Sequence, residues 1–243
     1  MIDAFVQYLR TQLQNHSIYV WGAQGQAAPE ITAQWIRRRE TSNANAQRAI
    51  AYWQKQVAAG YGNALRAFDC SGLGVYFFLQ HGLLARDMTA NGLLSLCTPI
   101  RENALLSTDF VFRVNRRTGV AYHIGYLADE NGTVIEAKGR SEGVVQSASD
   151  GWDVYARPPF FRNAAGEPKS RVLKLLSPYL RGGDVRRLQR ALLARGLDAG
   201  AADGVFGPNT ERAVRAFQRL TGLSVDGKAG RQTFAALGLP FVA

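Results

Sequence analysis

The sequence predicts an α+β domain followed by a small all-α domain of three helices. An apolar run, Leu73-Gly74-Val75-Tyr76-Phe77-Phe78, follows Asp69-Cys70-Ser71-Gly72 and is long enough for a buried helix. Strand-like segments come after it, and helix first with sheet after argues α+β rather than a doubly wound fold. Beyond a polar stretch rich in Gly and Pro, three amphipathic faces recur, each closed by a glycine. The boundaries read as 1–162 for the first domain, 163–170 for a linker and 171–243 for the second.

Taken in order, Met1 to Arg10 starts an amphipathic helix. Asp3, Gln7 and Arg10 interrupt any apolar core there, so no signal peptide is read and synthesis in the cytoplasm is expected. Ile18 to Gly22 reads as a short strand or turn. An insertion over about 26–66 carries two helical patterns, Glu30 to Ile36 and a second one started by Thr41-Ser42-Asn43 with Ala46, Ile50, Trp53 and Val57 on one face. The insertion either walls a substrate groove or packs on the outside. Residues 71–85 form the central helix, ending near Gly82. Strands are expected over 107–114, 120–127 and 133–138, with further ones at Gly143-Val144-Val145 and Trp152 to Tyr155.

The tail holds a repeat. Asp203-Gly204-Val205-Phe206-Gly207-Pro208-Asn209-Thr210 recurs 23 residues later as Asp226-Gly227-Lys228-Ala229-Gly230-Arg231-Gln232-Thr233. Each copy reads as a turn feeding a helix, with Pro208 at a first-turn position. Its aspartates and glycines are turn-formers. Helices are expected from Asp184 to Gly196, around Ala213, Val214 and Phe217, and around Phe234 and Leu237.

Composition bounds the function. The 243 residues carry a net charge of +10, unevenly spread, with 12 Lys+Arg against 5 Asp+Glu in 171–243. A basic small domain suggests an anionic polymer, either nucleic acid or a wall bearing carboxylates and phosphates. The tail lacks a base-stacking aromatic pattern. Two cysteines, Cys70 and Cys97, make no disulfide framework, and three scattered histidines give no metal-ligand spacing, so no cofactor or metal is expected. No stretch is apolar and long enough to span a membrane.

Cys70 stands at or near the start of a helix, where unpaired N–H groups and the dipole favour thiolate. A cysteine nucleophile needs a base. His16 lies in a polar stretch, and His81 ends the central helix, where a histidine commonly serves the last carbonyls. His123 lies in the strand Val120 to Leu127. A turn, Asp129-Glu130-Asn131-Gly132, leads to Thr133 to Ala137, a hairpin signal that puts Glu136 roughly opposite His123 on one face. Cys70, His123 and Glu136 thus fit the scheme of nucleophile, base and orienting acid.

These residues carry a resemblance. Asp69-Cys70-Ser71-Gly72, His123-Ile124-Gly125-Tyr126 and Val134-Ile135-Glu136-Ala137, in that order, resemble the NlpC family of cell-wall cysteine peptidases. Ile18-Tyr19-Val20-Trp21-Gly22 resembles the family's Tyr-x-Trp-Gly segment, and Leu106 to Phe112 its Gly-Asp-Leu-Val-Phe strand, with Thr108 where glycine is usual. The resemblance implies a papain-like domain, with a nucleophile helix on an antiparallel sheet, cutting peptidoglycan stems between D-glutamate and the diamino acid. It implies Tyr19, Asp69 and Ser71 as substrate contacts, though a helix cap explains Asp69 equally well. Many relatives carry histidine in place of Glu136. The tail resembles the three-helix peptidoglycan-binding domain of wall hydrolases. The expected partner is bacterial peptidoglycan, not nucleic acid or membrane. The expected form is a monomeric, endolysin-like enzyme acting at the wall after release. An N-acetylmuramoyl-L-alanine amidase and an inactive wall-binding protein are the alternatives.

Overall fold

The computed structural model describes residues 1–161, 171–239 and 241, so the expected linker at 163–170 lies outside the described residues. The chain divides into two units. The first holds residues 1–99 and 107–161, and the second combines residues 100–106 with the tail.

In the first unit α1 (Ile2–Gln14) turns Phe5 and Leu9 inward. Two short strands follow, β1 (Ile18–Tyr19) and β2 (Gln24–Ala27), then helices α2 (Ala33–Arg39) and α3 (Asn43–Ala58), and β3 (Arg66–Phe68). The central helix is α4 (Gly72–Gln80), followed by α5 (Ala90–Leu96) and β4 (Thr98–Ile100). The chain then forms β5 (Phe110–Val114), β6 (Ala121–Leu127), β7 (Thr133–Gly139), β8 (Gly143–Ala148) and β9 (Val154–Arg157). The last group makes a sheet in the order β4-β9-β5-β6-β7-β8, antiparallel from β9 to β8. The α+β expectation is met.

Helix α4 is apolar almost all round, so it must be covered on most sides. Phe5 supplies part of the cover, with ring centroids 5.0 Å from Phe78 and 5.6 Å, edge-on, from Tyr126. Phe110 meets Tyr126 at 5.1 Å. Such pairs add about 0.5–1.5 kcal/mol each beyond the area they bury. The joint between helix and sheet is Tyr126 on Gly74. A Cβ at Gly74 would stand 2.5 Å from the Tyr126 ring, so only glycine admits the contact. The Tyr126 hydroxyl then reaches the carbonyls of Cys70 and Ser71 at 3.2 and 3.1 Å. The helix is shorter than the 71–85 expected, because the chain turns through left-handed Gly82 (φ 66°). His81 caps that end, with Nδ1 2.9 Å from the Phe77 carbonyl.

A second sheet, β1-β3-β2, carries the chain into the site, with β1 parallel and β2 antiparallel to β3. Helices α2 and α3 are capped by Thr32 and Ser42, whose hydroxyls accept the N–H groups of Trp35 and Asn45. Their inner faces share a core with this sheet through Ile18, Val20, Ile36, Ala49, Ile50, Leu65 and Ala67. Strand β5 starts at Phe110 rather than 107, because Thr108 holds a left-handed conformation (φ 71°). That is an unusual place for a β-branched residue and the position where the resemblance expects glycine.

The second unit is the expected three-helix fold, with α6 (Gly183–Leu193), α7 (Pro208–Leu220) and α8 (Arg231–Ala236) around Leu188, Leu192, Phe206, Val214, Phe217, Phe234 and Leu237. Residues 100–106 join it, the Leu105 carbonyl accepting from Arg187 at 3.4 Å. The repeated turns are each latched by one buried glutamine. Gln189 Nε2 donates to Asp203, the Val205 carbonyl and Thr210, while its oxygen accepts the Gly204 N–H. Gln218 does the same with Asp226, the Lys228 carbonyl, Thr233 and Gly227. Gln218→Ala would orphan that set of buried groups and should destabilise the second unit by about 2–3 kcal/mol. Denaturant unfolding monitored on tail amide signals checks this, and Gln189→Ala, at the equivalent latch, should show a loss of similar size.

Candidate active site

Cys70 is the residue just before the cap Ser71, outside the helix that begins at Gly72. Asp69 makes the turn. Its Oδ1 accepts the Gly72 N–H at 2.6 Å and the Ser71 hydroxyl at 3.1 Å, and its Oδ2 accepts the Gly22 N–H at 3.1 Å. Gly72 is required there, since a Cβ would stand 2.2 Å from the Ala23 carbonyl oxygen. The cysteine is only 8% exposed, with Sγ 3.9 Å from the Tyr122 carbonyl on β6. Burial, then the charge of Asp69, push its thiol up to about 12, against the pull of N–H groups from Ile124, Ser71 and Cys70 itself. This corrects the expectation of a thiolate favoured by the helix start, because desolvation outweighs the backbone donors. Burial thus favours the neutral thiol over the thiolate.

The candidate base, His123, is tethered. His123 Nε2 lies 2.6 Å from Glu136 Oε2, and Glu136 Oε1 accepts the Ser147 hydroxyl at 2.6 Å. Glu136 is 4% exposed, so it is not a solvated strand residue. Burial works against its charge, but the hydrogen bonds from His123 and Ser147 win and hold the carboxyl below its ordinary value of 4.5. The pairing of Tyr126 with Ile135 and Leu127 with Val134 places Glu136 diagonal to His123, not opposite as the hairpin suggested. The residue directly across from His123 is Arg113 on β5. Nε2 is committed to Glu136, so Nδ1 is the ring nitrogen that the carboxylate does not engage.

The ring's plane is fixed by Trp152, which stacks on His123 at 5.6 Å and 11°. Trp152 is itself anchored by Nε1 donating to the Ala148 carbonyl at 3.1 Å, and the Arg113 guanidinium lies 4.8 Å from its ring. Gly125 makes room for it, since a Cβ there would come within 3.0 Å of the indole. Sequence reasoning assigns neither Ser147 nor Trp152 to the site. Ser147 gives no signal of its own, and Trp152 reads there only as the start of a strand.

The expected substrate residues lie along the Tyr19–Gly22 segment and the nucleophile turn. Tyr19 is buried, and burial followed by the nearby Cys70 and Asp69 pushes its phenol up. Ser71 is buried and bonded to Asp69. Burial raises the Asp69 carboxyl while its N–H and hydroxyl donors oppose the shift; Oδ1 serves as the cap and Oδ2 ties the Gly22 segment to it. Trp21 in the same segment is 51% exposed. The insertion braces this segment. Arg39 donates to the Gly22 carbonyl at 2.6 Å, and Glu40 accepts the Trp21 N–H at 3.0 Å. Cys97 lies apart, its Sγ 3.2 Å from the Leu93 carbonyl.

Residues 181–237 match the family described as a putative peptidoglycan binding domain. Among curated proteins, the N-acetylmuramoyl-L-alanine amidase CwlL of Bacillus licheniformis is 40% identical over 74 residues, 28% of this chain and 21% of that protein. A spore cortex-lytic enzyme of Bacillus cereus is 50% identical over 52 residues, 21% of this chain and 20% of that protein. The chain thus spans about a fifth of the length of these relatives. Among solved structures, the P60 domain of an antigen from M. avium subspecies paratuberculosis is similar at 16% identity and a TM-score of 0.41, over 65% of this chain and 97% of that one. NlpC1 from Trichomonas vaginalis gives 16% and 0.41, over 67% and 45%.

Glu136 and Trp152 each lead to a measurement. Glu136 has a lowered folded-state pKa, so its hydrogen-bonded carboxylate contributes stability that is present above about 4.5 and lost as pH falls through the folded value. Melting temperatures of wild type and Glu136→Gln should therefore converge in acid, and turnover of the variant at neutral pH should fall on the order of 10-fold. Trp152→Ala should lower kcat with little change in KM, whereas Trp152→Phe, which keeps a stacking ring, should retain most of the rate; steady-state kinetics separate the two.

Proposed function

We propose that this chain is a peptidoglycan hydrolase in which residues 1–161 cut stem peptides by cysteine chemistry and the tail holds the wall. The observation that carries the reading is the tethered relay, Ser147 to Glu136 to His123, which ends on β6, the strand whose Tyr122 carbonyl lies by the Cys70 sulfur. The match of residues 181–237 to a putative peptidoglycan binding domain supports the choice of polymer. The bond cut is the one between D-glutamate and the diamino acid.

In this mechanism His123 takes the Cys70 proton as the sulfur attacks the stem carbonyl, since the resting thiol is neutral. Glu136 stabilises the imidazolium that forms. The oxyanion is held by the Cys70 backbone N–H with Tyr19. The imidazolium gives its proton to the leaving amine, and water hydrolyses the acyl-enzyme. The amidase names belong to relatives aligned through the tail alone. They give no support for amidase chemistry in residues 1–161.

Cys70→Ala should abolish the release of new amino termini from purified sacculi while the protein still pellets with them, and Cys97→Ala should stay active. Mass spectrometry of the digest identifies the bond. Undiminished digestion by Cys70→Ala would remove the mechanism.

A further inference from the structure

Arg140 follows β7, at the turn into β8, and its surroundings are unusual for an arginine. Its Nε donates to Glu40 Oε2 at 2.7 Å, and the Glu40 side chain is fully buried while that of Arg140 is 19% exposed. The other Glu40 oxygen is already occupied by the Trp21 N–H. On its other side the guanidinium lies 5.1 Å from the Tyr19 ring. Tyr19 pairs with Phe68, two residues before the nucleophile, and the Val20 N–H donates to the Phe68 carbonyl at 3.0 Å. The guanidinium is therefore fixed beside the nucleophile turn by a carboxylate that uses only one of its five donors. Among the described residues neither terminal nitrogen of Arg140 donates to a protein group, and neither is a sealed, unpartnered atom.

Such a group is pre-organised to accept an anion. The side chain is held by an ion pair and an aromatic face, so little entropy remains to be lost when a ligand docks. Two terminal N–H edges at fixed spacing match a carboxylate bidentately. The nearby Asp69 does not compete for that position, because both its oxygens are used in the turn. We propose that Arg140, held between Glu40 and Tyr19, receives a free carboxylate of the substrate and makes the chain selective for acidic stem peptides over those amidated at that position. The proposal rests on the hydrolase reading. It assigns a role to the insertion as well, since Glu40 is the insertion's contribution to the receptor.

The test compares two synthetic stem peptides, one with a free α-carboxylate on the D-glutamyl residue and one with the carboxamide. Wild type should cut the free acid on the order of 10- to 100-fold better in kcat/KM, mainly through KM. Arg140→Met would leave the buried Glu40 carboxylate unpaired, so the Glu40→Gln, Arg140→Met double variant is tested beside it, with folding checked by melting. In the folded double variant the preference, read as the ratio of kcat/KM for the two peptides, should vanish. Equal cutting of both peptides by wild type, or a preference that survives in the double variant, overturns the assignment. Failure of wild type to cut either peptide overturns the hydrolase reading, and the proposal with it.

Discussion

The site depends on one contact, Tyr126 against Gly74. Cys70 precedes α4 and His123 lies on β6, so their separation is set by how closely helix and strand approach. A glycine lets the tyrosine ring lie directly on the helix backbone, and the hydroxyl then reaches the first carbonyls of the nucleophile turn. A side chain at residue 74 would push the helix off the strand, since packed interiors leave no room for an added methyl group. The aromatic cluster around Phe5, Phe78 and Phe110 supplies energy, but the geometry comes from the missing Cβ.

The polar side of the site follows a different rule. Each charged group near Cys70 is fixed by at least two partners: Asp69 by three donors, Glu136 by His123 and Ser147, and Glu40 by Trp21 and Arg140. Buried charges are tolerated only when so satisfied. Their arrangement makes the Tyr19–Gly22 segment a rigid rim, held from below by Asp69 and from outside by the insertion. The insertion is part of the domain's construction, sharing its core with the strand that leads to Phe68.

Much of this is legible in the sequence. The elements with a strong apolar signal, α4, β6, β7 and the three tail helices, stand out, as do the residue types that carry chemistry. The diagonal placement of Glu136 is not legible, because a hairpin's register depends on its turn and a shift of two residues keeps the same face. Ser147 is one of two polar residues on β8, next to Gln146, and no motif marks it. The Glu40–Arg140 pair joins positions 100 residues apart, beyond any local pattern. The glutamines that latch the tail repeat sit at unequal distances before their turns, Gln189 ahead of Asp203 and Gln218 ahead of Asp226, so the repeat hides them. Helix-start reasoning about Cys70 also fails for a physical reason. It counts the donors around the sulfur and not the water removed from it.

The burial of Cys70 has a chemical consequence. Peroxides and alkylating agents reach exposed sulfurs first, and at 8% exposure this one meets them only rarely. In the mechanism proposed above the thiolate forms only when His123 takes the proton, in the same encounter that brings the carbonyl. The fold that builds the site thereby also shields its sulfur between turnovers.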